Sequence, residues 1–257
     1  MKNYITNFMF MINGPGTIED KSKSLSGAIQ AIEGATKSGI YASDCLVTWA
    51  KNMGFFEDQK FVDCINRRLT GDATNDAKLR GIIWRTHTLC WAATQCLGID
   101  GDYVEAGCYD GDTARIAIDY TDFAKTKKTY WLYDLFDNDG TLTPLLPKHK
   151  SGGMYEETVA KFAEMKNVKV IKGMIPDSFQ QGAPAKVAFL HIDMNNVPAE
   201  RGALETLYER VQPGGLILLD DYGWVQNRPQ KDSADEFLAR FGRKILEMPT
   251  GQGFAIR

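Results

Sequence analysis

Five acidic residues of this 257-residue chain close short runs of β-forming residues: Glu105, Asp134, Asp193, Asp220 and Asp221. The runs read Y-V-E at 103–105, Y-W-L-Y-D at 130–134, V-A-F-L-H-I-D at 187–193 and L-I-L-L-D-D at 216–221. Ligands of open α/β sheets sit beyond the carboxyl ends of the strands, so acids at those ends are placed to do chemistry. If the last two strands are neighbours, Asp193, Asp220 and Asp221 meet at one rim. Like charges at such distance repel unless a cation or a proton sits among them. Oxygen ligands with no cysteine or histidine cluster nearby favour a hard cation, Mg2+ before Zn2+ or copper. The plainer reading is that Asp220 and Asp221 only start a turn, and Asp193 on the adjacent strand argues against it.

The segment Y-V-E-A-G-C-Y-D-G-D-T at 103–113 is the turn around which these acids are arranged. Gly107 and Gly111 bracket it, and a helical pattern opens at Thr113. Glycine lets backbone approach a ligand closely, and the free N–H groups of a first helical turn favour negative charge. A dinucleotide fingerprint needs G-x-G-x-x-G, whereas this chain has G-x-x-x-G followed by Asp112. An acid there suits the ammonium of an amino-acid tail better than a pyrophosphate, which points to S-adenosylmethionine (SAM) and away from NAD. Asp134, about twenty residues further on, is placed for ribose hydroxyls, against the plainer role of capping the next turn. M-I-P-D-S at 174–178 follows the third strand, and its Asp177 and Ser178 are candidates to flank an adenine. Of the histidines, His191 reads as a packed strand residue and His149 as a solvated one. His87 faces either the cofactor or a helix surface.

These side chains need a sheet to hold them. Strands are expected at 102–106, 129–134, 168–172, 186–193 and 215–220, with helices at about 112–124, 153–165 and 198–211. K-I-L-E-M at 244–248 and F-A-I-R at 254–257 flank a Gly-rich turn and read as a hairpin. The expectation is an α/β fold with a mostly parallel seven-stranded sheet and an antiparallel last strand. Before Gly98, apolar residues recur at helical spacing over 43–53, 59–69 and 79–97, with Gly98 as a C-cap. Residues 1–98 therefore read as an N-terminal arm and helical lid, and 99–257 as the core. The loop 135–152, with Asp137, Asp139 and Gly140, is expected to shape the acceptor site.

A net charge of −3 and a pI near 5.7 give no pull towards nucleic acid or anionic lipid. Five cysteines are an odd number without a C-x-x-C pair, and they imply a reduced, cytoplasmic setting. The apolar run F-M-F-M-I at 8–12 is too short for a signal peptide or a membrane span. The expected partner is a small molecule, with no nucleic acid and no membrane.

Several stretches together resemble class I SAM-dependent methyltransferases, and more narrowly the macrocin/mycinamicin O-methyltransferase family. They are G-D-Y-V-E-A-G at 101–107, residues 173–179, H-I-D-M at 191–194, P-G-G-L-I-L-L-D-D-Y at 213–222 and the helix W-R-T-H-T-L-C-W-A-A at 84–93. The resemblance covers about residues 80–257 and implies a Rossmann-like core. It implies that Glu105, Ala106, Gly107, Asp112, Thr113 and Asp134 bind SAM, alongside Asp177 and Ser178. It also implies that Asp193, Asp220 and Asp221 hold Mg2+, with Asp193 a candidate base. The family often continues after H-I-D with a second acid and an aromatic, where this chain has Asn195 and Asn196. The implied reaction is methyl transfer to a hydroxyl of a sugar or glycosylated small molecule. A catechol-type O-methyltransferase is the alternative enzyme. A non-catalytic SAM-binding module is the alternative of another class, and it would have no use for the three aspartates. A homo-oligomer is left open.

Overall fold

The computed structural model describes residues 40–49, 51–137 and 153–257. The expectations for an arm over 1–27 and for the loop beyond Asp137 lie outside the described residues. The chain forms two compact units, Met1–Met53 and Gly54–Arg257.

In the first unit, β1 (Ile40–Ser43) and β2 (Leu46–Trp49) form an antiparallel hairpin. The helix expected over 43–53 is not there. Asp44 and Cys45 take positive φ angles of 52° and 57°, a two-residue turn whose twist matches antiparallel strands. The L-V-T-W that follows is β-branched and aromatic, so strand preference prevails over the helical spacing of Leu46 and Trp49.

The second unit begins with α1 (Gln59–Asn66), α2 (Ala73–Gly81) and α3 (Ile83–Gln95). The helix expected over 79–97 is broken between α2 and α3 at Gly81 and Ile82, where the poorest non-proline helix former stands. Then come β3 (Asp102–Ala106), α4 (Asp112–Tyr120), β4 (Tyr130–Asp134), α5 (Met154–Lys161), β5 (Val168–Lys172), β6 (Val187–Ile192), α6 (Val197–Leu207) and β7 (Val211–Leu219). The chain ends with α7 (Arg228–Ala239), β8 (Leu246–Glu247) and β9 (Gly253–Ile256). Helix α7 is absent from the sequence expectation because most of it is polar. Its buried residues Gln230, Ala234, Phe237 and Leu238 nonetheless keep helical spacing, and Pro229 sits in the first turn.

Among the described residues the seven strands of this unit run in the order β5-β4-β3-β6-β7-β9-β8. From β5 to β7 the pairs are parallel, and β9 runs antiparallel to β7. Side chains alternate across the sheet and divide the core in two. Tyr103, Phe189, Leu216 and Leu218 pack on one face with Leu89, Ala92 and Ala93 of α3 and Ile116 of α4. Val104, Leu190, Ile192 and Ile217 pack on the other face with Leu204 of α6 and Phe237 and Leu238 of α7. By the same alternation Glu105, His191 and Asp220 lie on the face covered by α3. Each large apolar side chain buried here contributes roughly 1.5–3 kcal/mol relative to exposure.

Among the described residues no helix is long and apolar enough to cross a membrane. All five cysteines are free, with Cys45 exposed and Cys64, Cys90, Cys96 and Cys108 buried. Burial raises the four buried thiols, that of Cys96 to about 12, so they behave as small apolar residues. Thermal melts with and without reductant are therefore expected to coincide, and a large drop in melting temperature on reduction would contradict this arrangement.

Candidate active site

The strand order reverses between β3 and β6, so their carboxyl ends form the crevice where a ligand enters such a sheet. The Asp193 N–H donates to the Ala106 carbonyl at 2.8 Å, and the Asp220 N–H to that of Ile192 at 2.9 Å, so the three strand ends form one rim. Gly107 has φ 94°, and a Cβ built on it would lie 1.8 Å from the Asp193 carbonyl oxygen. No other residue fits where β3 turns past β6. The N–H groups of Gly107 and Cys108 both donate to the Tyr133 carbonyl, at 2.8 and 3.1 Å. Gly111, at φ 76°, is the N-cap of α4.

The expected cofactor residues gather around this turn. Ala106 is buried at the end of β3, and Thr113 is half-buried in the first turn of α4. Asp134 accepts the Tyr109 N–H at 2.7 Å and the Phe136 N–H at 2.8 Å, so its orientation is fixed against the turn. Asp112 pairs with Lys161 at 2.6 Å, and the same ammonium donates to the Asp110 carbonyl. Asp177 is exposed, whereas the Ser178 hydroxyl is buried without a hydrogen-bond partner, a polar atom left for a ligand beyond β5.

Glu105 points under the turn. It is 1% exposed, accepts the Tyr130 hydroxyl at 3.2 Å and lies 3.5 Å from His191 Nδ1. His191 Nε2 lies 3.7 Å from Asp220 Oδ1 on the other side, so both contacts are ion-pair distances rather than hydrogen bonds. Burial acts to lower the His191 pKa, but Glu105 and Asp220 outweigh it and raise it to about 10. The ring thus stands as a positive charge between two carboxylates. His87 does not face the rim. Its ring stacks on Phe55 with centroids 4.6 Å apart and meets Phe61 edge-on.

The three rim aspartates differ. Asp193 is half-buried, and burial followed by repulsion from Asp220 and Asp221 raises its carboxyl well above the usual range. Burial acts on Asp220 in the same sense, but Arg85 and His191 outweigh it and hold Asp220 at about 2. His191, Asp193 and Asp220 each bring a potential ligand atom within 4.8 Å of the others. Asp193 and Asp220 supply carboxylate oxygens, the hard donors that suit Mg2+, while Asp221 lies outside this group.

Several residues that complete the site are not singled out by the sequence. Arg85 of α3 places Nη2 2.7 Å from Asp220 Oδ2 and Nη1 3.4 Å from Asp221 Oδ1. Gln252, wholly buried beside the last hairpin turn, donates to Asp220 Oδ1 at 2.7 Å. Behind Asp193, buried Glu200 accepts Gln230 Nε2 at 2.6 Å. The one sequence signal was the position of Arg85 in the helix at 84–93.

The family model for macrocin-O-methyltransferase (TylF) matches residues 85–241. The chain belongs to the macrocin-O-methyltransferase family. Family membership makes it a SAM-dependent O-methyltransferase, in agreement with the fold and cofactor expected from the sequence. One relative is the 8-demethyl-8-(2,3-dimethoxy-alpha-L-rhamnosyl)-tetracenomycin-C 4'-O-methyltransferase of Streptomyces olivaceus. It is 22% identical over 203 residues, 67% of this chain and 76% of the relative. Among solved structures, the O-methyltransferase NovP superposes with a TM-score of 0.57 at 21% identity, covering 68% of this chain and 80% of NovP. CalS11, a TDP-rhamnose 3'-O-methyltransferase of calicheamicin biosynthesis, gives 0.55 at 12% identity, covering 80% and 95%. At these identities the two structures establish the shared fold.

Two predictions follow from the burial of charge in this methyltransferase. Burial raises the Glu200 carboxyl to about 7, with Asp221 adding repulsion, against 4.5 as the ordinary value. The native state therefore favours the protonated form, and the associated stability is full below about 4.5 and is lost as pH rises through 7. Glu200→Gln should gain up to roughly 3 kcal/mol on the wild type between pH 4.5 and 8.5, read from urea unfolding at both pH values. Equal pH dependence in the two proteins would contradict this. Asp220 also anchors Arg85, His191 and Gln252, so Asp220→Asn should cost roughly 3 kcal/mol. Asp221, with its longer contact to Arg85, should cost clearly less when changed to Asn.

Proposed function

We propose that the enzyme methylates one of two vicinal hydroxyls on the sugar of a glycosylated small molecule, with Mg2+ held by Asp193, Asp220 and Asp221. The observation that carries the metal part is the set of three carboxylates converging on one rim. Among the described residues, Arg85 and His191 are the cationic groups placed against Asp220, Asp221 and Glu105. The sugar part is supported by the Streptomyces olivaceus relative, whose name gives a dimethoxyrhamnosyl compound as its acceptor.

Bound SAM supplies a sulfonium methyl group that passes to the attacking oxygen. Bound Mg2+ would supply a Lewis acid that lowers the pKa of the acceptor hydroxyl. In this reading Glu105, Ala106, Gly107, Asp112 and Thr113 form the seat for the amino-acid end of SAM. Asp134 takes the ribose, and Asp177 and Ser178 border the adenine. Asp193 accepts the proton of the acceptor hydroxyl as general base. Arg85 and Gln252 fix Asp220. The helices before Gly98 serve as a lid, since Lys78 of α2 lies 4.0 Å over the Tyr109 ring of the cofactor turn. The acceptor is a small molecule met in the cytoplasm, where buried free thiols need no oxidising environment.

The test is a panel of deoxysugar-bearing compounds and nucleotide sugars with vicinal hydroxyls, followed by catechols, assayed with and without chelator. Methyl transfer to a sugar should vanish in chelator and return with Mg2+ or Mn2+. Asp221→Asn should lose transfer while keeping its affinity for S-adenosylhomocysteine. Asp193→Asn should lose roughly 10²–10⁴-fold in kcat even at saturating Mg2+, because added metal does not replace a base. Full activity in chelator would refute the metal role. A preference for catechols would refute the sugar.

A further inference from the structure

The oxygens that a metal ion would take at the rim are the ones Arg85 already holds. Its Nη2 lies 2.7 Å from Asp220 Oδ2 and its Nη1 3.4 Å from Asp221 Oδ1, so one planar guanidinium bridges two consecutive acids. The other Asp220 oxygen is occupied by Gln252 Nε2 at 2.7 Å. The Arg85 side chain is only 13% exposed, so little water screens its charge. Its Cζ lies 5.8 Å from the centroid of the Trp224 ring, a further contact that holds the group in place. The arginine comes from α3, whose buried Leu89, Ala92 and Ala93 fix that helix on the sheet. The guanidinium is therefore built into the rim, and it does not lose its charge by deprotonation.

We propose that Arg85 is the resident counter-cation of the rim and competes with the divalent ion for Asp220 and Asp221. The inference rests on the Mg2+ reading above. A fixed positive charge beside the same two carboxylates stabilises the metal-free protein and weakens metal binding. Arg85 is thus a positioning residue that sets how tightly the rim holds its ion. Metal enters by pulling the two carboxylates from the guanidinium or by sharing them against its repulsion.

Mn2+ binding followed by electron paramagnetic resonance tests this on the wild type, Arg85→Gln and Arg85→Lys, with affinity for S-adenosylhomocysteine as the check of fold. Arg85→Gln, which removes the charge, should bind Mn2+ at least about tenfold more tightly. Arg85→Lys, which keeps it, should stay near the wild type. A purely structural arginine would give the opposite order, with weaker binding in the Gln variant. Unchanged or weaker Mn2+ binding in a folded Arg85→Gln protein overturns the proposal and leaves the Mg2+ reading intact. If neither the wild type nor the variant binds Mn2+, the metal reading falls and the proposal with it. Should Arg85→Gln not fold, the wild type alone decides. The Nε–Hε resonance of Arg85 in ¹⁵N-arginine-labelled protein, assigned by its loss in Arg85→Lys, should shift on addition of Mg2+. A resonance that stays unmoved up to saturating Mg2+ overturns the proposal.

Discussion

Four carboxylates at the carboxyl ends of three adjacent strands are the constraint that the rest of the larger unit answers. Glu105, Asp193 and Asp220 stand on β3, β6 and β7, or one residue beyond them, and Asp221 follows directly. Bringing such charges out of water costs several kcal/mol each unless partners are close. The partners come from distant parts of the chain: His191 from the central strand, Arg85 from α3 and Gln252 from beside the last hairpin turn. The N-terminal helices and the C-terminal hairpin thus do more than cover apolar surface. On α3, Arg85, Leu89, Ala92 and Cys96 fall along one stripe, and the three apolar members pack on the sheet face that also carries His191. Seating that stripe on the sheet carries the guanidinium to Asp220.

The cofactor side of the crevice obeys a different constraint, close approach of backbone. β3 and β6 end in register at Ala106 and Ile192, and just beyond them only a residue without Cβ clears the Asp193 carbonyl at position 107. The turn then donates hydrogen bonds to the Tyr133 carbonyl and the Asp134 carboxylate of β4. The glycine turn and the acidic rim are therefore mechanically joined, because the backbone that positions Asp193 is the backbone against which Gly107 packs. The ion pair of Asp112 with Lys161 of α5 fixes the far side of the same turn.

Much of this was legible in the sequence, and the reasons differ by element. β4 and β6 were readable because buried parallel strands are nearly continuous apolar runs, and each ended in an acid. The rim aspartates were readable because their positions depend on strand ends alone. Arg85 was not, since a helix position says nothing of what a long side chain reaches across 135 or more residues of sequence separation. Gln252 has no local signature either, as a buried amide is defined by its partner. The hairpin at 40–49 was misread because four residues satisfy a helical and an extended pattern equally well, and the turn at Asp44 and Cys45 decides between them. α7 was hidden by its polar composition, although that helix supplies the Gln230 that holds Glu200.

Asn195 and Asn196, which follow H-I-D-M, shape the corner that leads out of β6. Asn195 takes a left-handed φ of 51°, a conformation that asparagine tolerates better than most residues, and its Oδ1 accepts Asn227 Nδ2 at 3.1 Å. Asn196 is the N-cap of α6, its Oδ1 accepting the Ala199 N–H at 2.9 Å, with Pro198 following in the first turn. The two asparagines therefore turn the chain sharply from the end of β6 into a helix and tie that corner to the segment before α7. An acid at 195 would add another negative charge to a corner already facing Glu200 and Asp221, where burial and repulsion keep the Glu200 carboxyl high. Neutral amides complete the turn without deepening the charge deficit, so the rim keeps its surplus of negative charge at the three aspartates.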